Sequence, residues 1–145
     1  MSESALISIK PVYADAIFSG QKTVELRRRI PSLPLGTRLW VYATLPRGMV
    51  MGTAIVSAIL RGTPSEIWAA CGGQAGVDKE TFDSYFDGAP EALGIALSDV
   101  VERGPIAFSR LKEIKQNFHP PQVLMRLSKE DSDRLDREAR TAVAA

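Results

Sequence analysis

Ser19–Arg29 reads SGQKTVELRRR, and it places two cations, Lys22 and Arg27, on either side of one carboxylate, Glu25. A carboxylate between cations orients a guanidinium, leaving its remaining donors to meet a phosphate or the carbonyl edge of a base. The same residues offer a second chemistry, with Lys22 and Glu25 as the two halves of an acid–base pair. An ordinary surface strand with solvated ion pairs has this composition as well.

Other side chains extend the candidate set. Lys10 stands at the end of an apolar run and can contact a ligand or rest in solvent. Tyr42 and Thr44 close another apolar run, where a tyrosine can stack on a base, a contact worth ~1–3 kcal/mol in single-strand binders. His119, the single histidine, and Gln122 flank Pro120-Pro121. Trp40 and Trp68 read as core residues, and Cys71 as a small residue at a helix end. One histidine, one cysteine and scattered carboxylates give no recurring metal-ligand spacing, so neither metal nor cofactor is expected. Phosphate-cradling loops, dinucleotide fingerprints and nucleophile elbows are absent from the sequence.

These residues must be positioned by the elements around them. Ala5–Ile9 reads as a strand, and Pro11 opens a helix that Gly20 closes. Lys22–Arg28 alternates as a strand with Thr23, Glu25 and Arg27 on one face and Val24 and Leu26 on the other. Two prolines and a glycine make residues 30–37 a loop. Arg38–Thr44 and Met49–Leu60 are strands, and Gly52 marks a bulge or a close backbone approach. Thr63 and Glu66 form a capping box for a helix that Gly72-Gly73 stops. Asp78 caps a second helix, with Phe82, Tyr85 and Phe86 on one side. Leu93–Val101 is a strand. Pro105–Lys115 mixes a short strand with a helical turn, and Val123–Leu127 is the last strand. Ser128 opens a terminal helix of alternating charge, read as solvated and weakly packed. Short turns joining six or seven strands and few helices predict an α+β chain built as a small mixed β-barrel of about six strands, with flanking helices.

Composition narrows the function classes. The 145 residues are 45% hydrophobic and 24% charged, as expected for one globular domain. A single cysteine excludes an intramolecular disulfide framework. The start, MSESALISIK, has no signal-peptide pattern, and no apolar run approaches the ~20 residues of a membrane span. A cytoplasmic protein without membrane contact is expected. The net charge of +1 is no signature of a strongly basic nucleic-acid binder. Its distribution is uneven: residues 1–62 carry a net +5 and residues 63–145 a net −4, which can give one positive face.

The string Gly20-x-Lys22-x-x-Glu25-x-Arg27 resembles the G-x-K-x-x-E-x-R motif of the ASCH domain family, in the PUA-like superfamily. The strand ending in Ile9-Lys10-Pro11, the helix before the motif and the Trp40–Ala43 strand agree. The resemblance covers roughly residues 5–127 and divides the chain into an ASCH/PUA-like domain, 1–127, and a charged C-terminal helix, 128–145. It implies a small barrel whose cleft is lined by the motif and takes RNA or a modified nucleotide. Lys10, Lys22, Glu25, Arg27, Tyr42, Thr44, His119 and Gln122 are then the expected contacts. Some family members resemble enzymes, among them ribonucleases and an amidohydrolase of N4-acetylcytidine that uses a Lys and a Thr three residues later. Lys22 matches that Lys, but Glu25 stands at the Thr position and cannot replace a hydroxyl nucleophile, so this activity is not expected. The leading expectation is a binding module. The alternatives are a metal-independent ribonuclease or nucleoside-type hydrolase, with Lys22 and Glu25 as catalytic candidates, and a regulator that binds a small molecule.

Overall fold

Strands β1 (Ser4–Ile9) and β3 (Arg38–Ala43) run parallel, with Leu6 opposite Trp40 and Ser8 opposite Tyr42. Successive side chains point to opposite faces of a strand. Ala5, Ile7 and Ile9 therefore join Leu39, Val41 and Ala43 on one face, while Leu6 joins Trp40 and Tyr42 on the other. Both faces are buried, which is why each strand reads as a continuous apolar run. The structure, a computed structural model, describes residues 3–144, with side chains through residue 140.

The first face packs around helix α1 (Pro11–Ser19) through Ala14 and Ile17. Gly20 ends that helix in the left-handed region at φ 87° and donates to the Ile17 carbonyl, a conformation glycine adopts without strain. Strands β4 (Met49–Gly62) and β5 (Ala92–Ala107) form a long antiparallel pair, and three register shifts bend it. Gly52 lies at one of the shifts, and any Cβ there would overlap the Val101 carbonyl oxygen and the Phe18 ring. Both readings of Gly52, bulge and close approach, hold.

Helices α2 (Pro64–Cys71) and α3 (Lys79–Tyr85) follow, separated by a 3-10 turn at Gly72–Gln74. The Thr63–Glu66 capping box is formed in both directions, and the Asp78 carboxylate accepts from the Thr81 amide at 2.8 Å. Ile67, Cys71, Phe82 and Phe86 pack against Val24 and Leu26, the outer face of β2 (Val24–Arg27). Helix α4 (Phe108–Ile114) and strand β6 (Leu124–Leu127) lead to α5 (Lys129–Ala144). Among the described residues, no helix is long and apolar enough to cross a membrane.

The strand order is β2-β5-β4-β3-β1-β6. Six mixed strands with flanking helices make the chain α+β, as expected, but the hydrogen-bonded circuit is not closed into a barrel: β2 and β6 are its two edges. The reason is local. Both edge strands have four residues, and the β6 ladder on β1 ends at the Ile7–Leu124 pair. Pro120 and Pro121 shortly before it have no N–H with which to extend a ladder.

Helix α5 also departs from expectation, because it is docked rather than solvated. Leu135 and Ala139 are buried with Leu6, Trp40 and Ile114. The Arg38 guanidinium forks onto Asp136 at 2.7 and 2.9 Å, Lys115 reaches Asp131 at 2.9 Å, and Ser132 Oγ bonds Ser4 Oγ at 3.0 Å. Two apolar residues four apart suffice for a stripe on one helix face.

Candidate functional site

The end of α1 delivers the motif. The Lys22 amide donates to the Ala16 carbonyl at 3.0 Å and the Thr23 amide to Gln74 at 2.9 Å, and the chain then enters β2. Glu25 is paired with Ile95 and Arg27 with Leu93 on β5. The two side chains therefore turn away from Val24 and Leu26, toward the face that α1 covers. This is the period-2 alternation expected from the sequence.

Lys22, at 2% exposure, is among the most buried large side chains of the protein. Its Nζ donates to the Ala75 carbonyl, lies 3.5 Å from Glu25 Oε1, and sits 5.2 Å from the Tyr13 ring centroid. Glu25 Oε2 accepts from Arg27 Nε at 2.8 Å and pairs with its terminal nitrogen at 2.7 Å. That same nitrogen donates to the Ser8 carbonyl at 2.8 Å. Three charged side chains thus form one hydrogen-bonded group that joins β2, β1 and the turn after α2. Removing charges from water is unfavourable unless they are paired and hydrogen-bonded. Burial pushes the Lys22 pKa down, and the Glu25 carboxylate opposes that shift.

One neighbour of this group escaped the sequence reading as a site residue. Tyr85, at the end of α3, is 41% exposed. Its hydroxyl lies within the electrostatic reach of Arg27, Glu25 and Arg28. Burial of the hydroxyl end raises its pKa. Helical spacing had grouped Tyr85 with Phe82 and Phe86, but no local pattern connects it to a strand nearly sixty residues earlier.

The other expected contacts lie elsewhere. Tyr42 is buried on the opposite face of β3, edge-on to Phe118 with centroids 6.3 Å apart, and burial raises its pKa. The expectation that Tyr42 shares a cleft with the motif is therefore corrected: β3 stands between them, with Val41 and Ala43 on the α1 side. Thr44 follows β3 half-buried, its amide bonded to the Ile9 carbonyl at 3.0 Å. Lys10 is exposed, and its carbonyl accepts from Tyr13 and Ala14 at the start of α1. It lies two residues beyond Ser8, near the Arg27 contact. His119 is exposed, with Nδ1 3.2 Å from the Asn117 carbonyl, and Gln122 is exposed before β6. Trp40 is buried in the core, and Trp68, half-buried, packs edge-on to Phe82 at 5.0 Å. Cys71 is buried and donates to the Ile67 carbonyl at 3.4 Å.

Among the described residues, no group of three His, Cys, Asp or Glu side chains is placed to hold a metal ion. A groove of about 510 Å³ between α4 and α5 is lined by Arg110, Arg134 and Glu138 among others, and it shares no residue with the motif cluster.

Comparison with known proteins agrees with this architecture. Residues 7–116 match the ASCH domain family. A protein of Zymomonas mobilis subsp. mobilis named "ASCH domain-containing ribonuclease" is 42% identical over 133 residues, 92% of this chain and 90% of that protein. The crystal structure of ASCH from Zymomonas mobilis superposes with a TM-score of 0.90 at 42% identity, covering 92% of this chain and 94% of that one. The N-terminal domain of Staphylothermus marinus McrB shares the fold, with a TM-score of 0.60 at 11% identity over 94% of each chain. With the motif in place on β2 and the match running from β1 through α4, this chain belongs to the ASCH domain family.

Proposed function

We propose that this chain binds RNA on the face that carries the Lys22–Glu25–Arg27 group and cleaves it. The observation that carries this reading is the 42% identity, over nine-tenths of both chains, to a protein named as a ribonuclease. The buried cluster supports it with chemistry. Cleavage of this kind begins when a base takes the proton of a ribose 2′-hydroxyl. The 2′-oxygen attacks the adjacent phosphorus, the P–O5′ bond breaks, and the departing 5′-oxygen receives a proton, leaving a 2′,3′-cyclic phosphate and a 5′-hydroxyl. Lys22 and Glu25 form the proposed acid–base pair. Burial lets the Lys22 amine give up its proton more readily than a free lysine, with the Glu25 carboxylate opposing, and the two groups are 3.5 Å apart. Arg27 aligns Glu25, and its charge favours an approaching phosphate.

The experiment uses labelled single-stranded and hairpin RNAs with the wild type, Lys22→Met and Glu25→Gln. The expected result is binding by all three folded proteins and cleavage by the wild type alone, with 5′-hydroxyl products. No binding at low salt, where phosphate contacts are strongest, would overturn the RNA reading. Cleavage by both folded variants would leave the cluster a structural clamp and move the chemistry elsewhere.

A further inference from the structure

Lys22 follows the left-handed Gly20, and its amide returns to the Ala16 carbonyl at 3.0 Å, so the chain doubles back beside α1. The Nζ group lies over the Tyr13 ring, 5.2 Å from its centroid. Tyr13 is half-buried and packs on the core that Ala14 and Ile17 enter, which fixes the ring before any ligand arrives. An ammonium has three N–H donors and no acceptor. Three electron-rich groups meet this one: the Ala75 carbonyl, the Glu25 carboxylate and the face of the Tyr13 ring. A neutral amine would turn its lone pair toward one of them. A cation within about 6 Å of an aromatic face is attracted by the ring quadrupole, more strongly where water is excluded, and Lys22 is 2% exposed.

We propose that Tyr13 is a positioning residue for the cleavage: its ring face holds Lys22 as the ammonium, which makes Lys22 the proton donor of the pair and Glu25 the base. This role rests on the RNA reading above and deepens it. Glu25 takes the proton of the 2′-hydroxyl. The Lys22 N–H bond breaks as its proton passes to the departing 5′-oxygen. The proton on Glu25 then returns to the neutral amine across the 3.5 Å between them, and both groups are reset. The groups that set the charge on Lys22 are Glu25 and Arg27 from β2, Cys71 from α2 and the Tyr13 ring from α1. Burial and Arg27 favour the neutral amine, while Glu25 and Cys71 favour the ammonium. The ring acts in the same direction as Glu25, so its loss should make the proton leave at lower pH.

The test follows Lys22 itself and then turnover. In NMR titrations of protein with isotope-labelled lysine, the Lys22 signal is assigned by its absence from Lys22→Met. It should titrate about one pH unit lower in Tyr13→Leu than in the wild type, whereas Tyr13→Phe, which keeps the ring, should titrate as the wild type does. A ring-fluorinated phenylalanine in place of Tyr13 keeps the shape and the packing but weakens the negative face, so it should shift the titration in the same direction as Tyr13→Leu. In RNA cleavage, the alkaline limb of the kcat/KM profile should move with the titration in each protein. Equal Lys22 titration in the wild type, Tyr13→Leu and the fluorinated protein would overturn the role of the ring while wild-type cleavage still upheld the RNA reading. An alkaline limb that stays in place while the titration moves would overturn Lys22 as the donor. A wild type that cleaves no RNA would overturn the RNA reading and the donor role with it, whatever the titration shows.

Discussion

Arg27 donates to the Ser8 carbonyl at 2.8 Å and so joins edge strand β2 to β1, where the β6 ladder has stopped. The Ile9 carbonyl turns toward β3, where it accepts from Thr44. By alternation the Ser8 carbonyl turns toward the β6 side, which has no strand partner beyond the Ile7–Leu124 pair. A side chain there does what a further ladder bond would do, and the carbonyl is not left without a donor.

This relationship makes Arg27 a stability residue whatever its role with a ligand. Arg27→Met would leave the Ser8 carbonyl without its donor and Glu25 with Lys22 alone. The expected loss is about 3 kcal/mol, the scale for breaking a buried pair from one side. Arg27→Lys keeps the charge but lacks the fork and should fall between. Urea denaturation of the three proteins provides the check, and a fully stable Arg27→Met would show that the strand edges do not need this bridge.

The ionisation of Lys22 should be visible in stability against pH. Burial holds its folded-state value below the ordinary 10.5. Between that lowered value and 10.5 the unfolded chain binds more protons than the folded one, so this group makes stability rise with pH. Below the window the folded state carries the full penalty of a desolvated ammonium. The wild type should therefore gain stability relative to Lys22→Met as pH climbs through the alkaline window. Paired denaturation curves at stepped pH measure this, and a constant difference would contradict the shift.

Apolar burial, more than ion pairs, should hold α5 in place. Leu135→Ala is expected to lower stability by about 3 kcal/mol through the cavity it leaves under Trp40 and Leu6. Asp136→Asn removes a partly exposed pair with Arg38 and should change stability by less than about 1 kcal/mol. The reverse order in thermal or chemical melts would mean that the charged face docks the helix.

Cys71 gives a probe of local opening. Burial raises its thiol pKa, with Lys22 opposing, and only the thiolate reacts readily with disulfide reagents. Native protein should react with a thiol reagent at mildly alkaline pH many times more slowly than urea-unfolded protein. Equal rates would show that the packing of α2 on β2 opens freely.

Much of this architecture follows from local rules. The caps at Thr63 and Asp78, the left-handed Gly20 and the alternation of Val24, Glu25, Leu26 and Arg27 each depend on residues a few positions apart. Such short-range chemistry is written in the order of the amino acids, and so was the motif that carries the family resemblance. Tertiary structure decided the rest. It placed Tyr42 on the far side of β3, because the sign of a strand face is set by what packs on it and not by alternation alone. It docked α5 through Leu135 and Ala139, whose partners include Leu6 on β1 and Trp40 on β3, more than ninety residues away. It left the sheet open at an edge that Arg27 spans. Each of these is a long-range contact, and neither spacing nor propensity along the chain specifies which distant surface a side chain will meet.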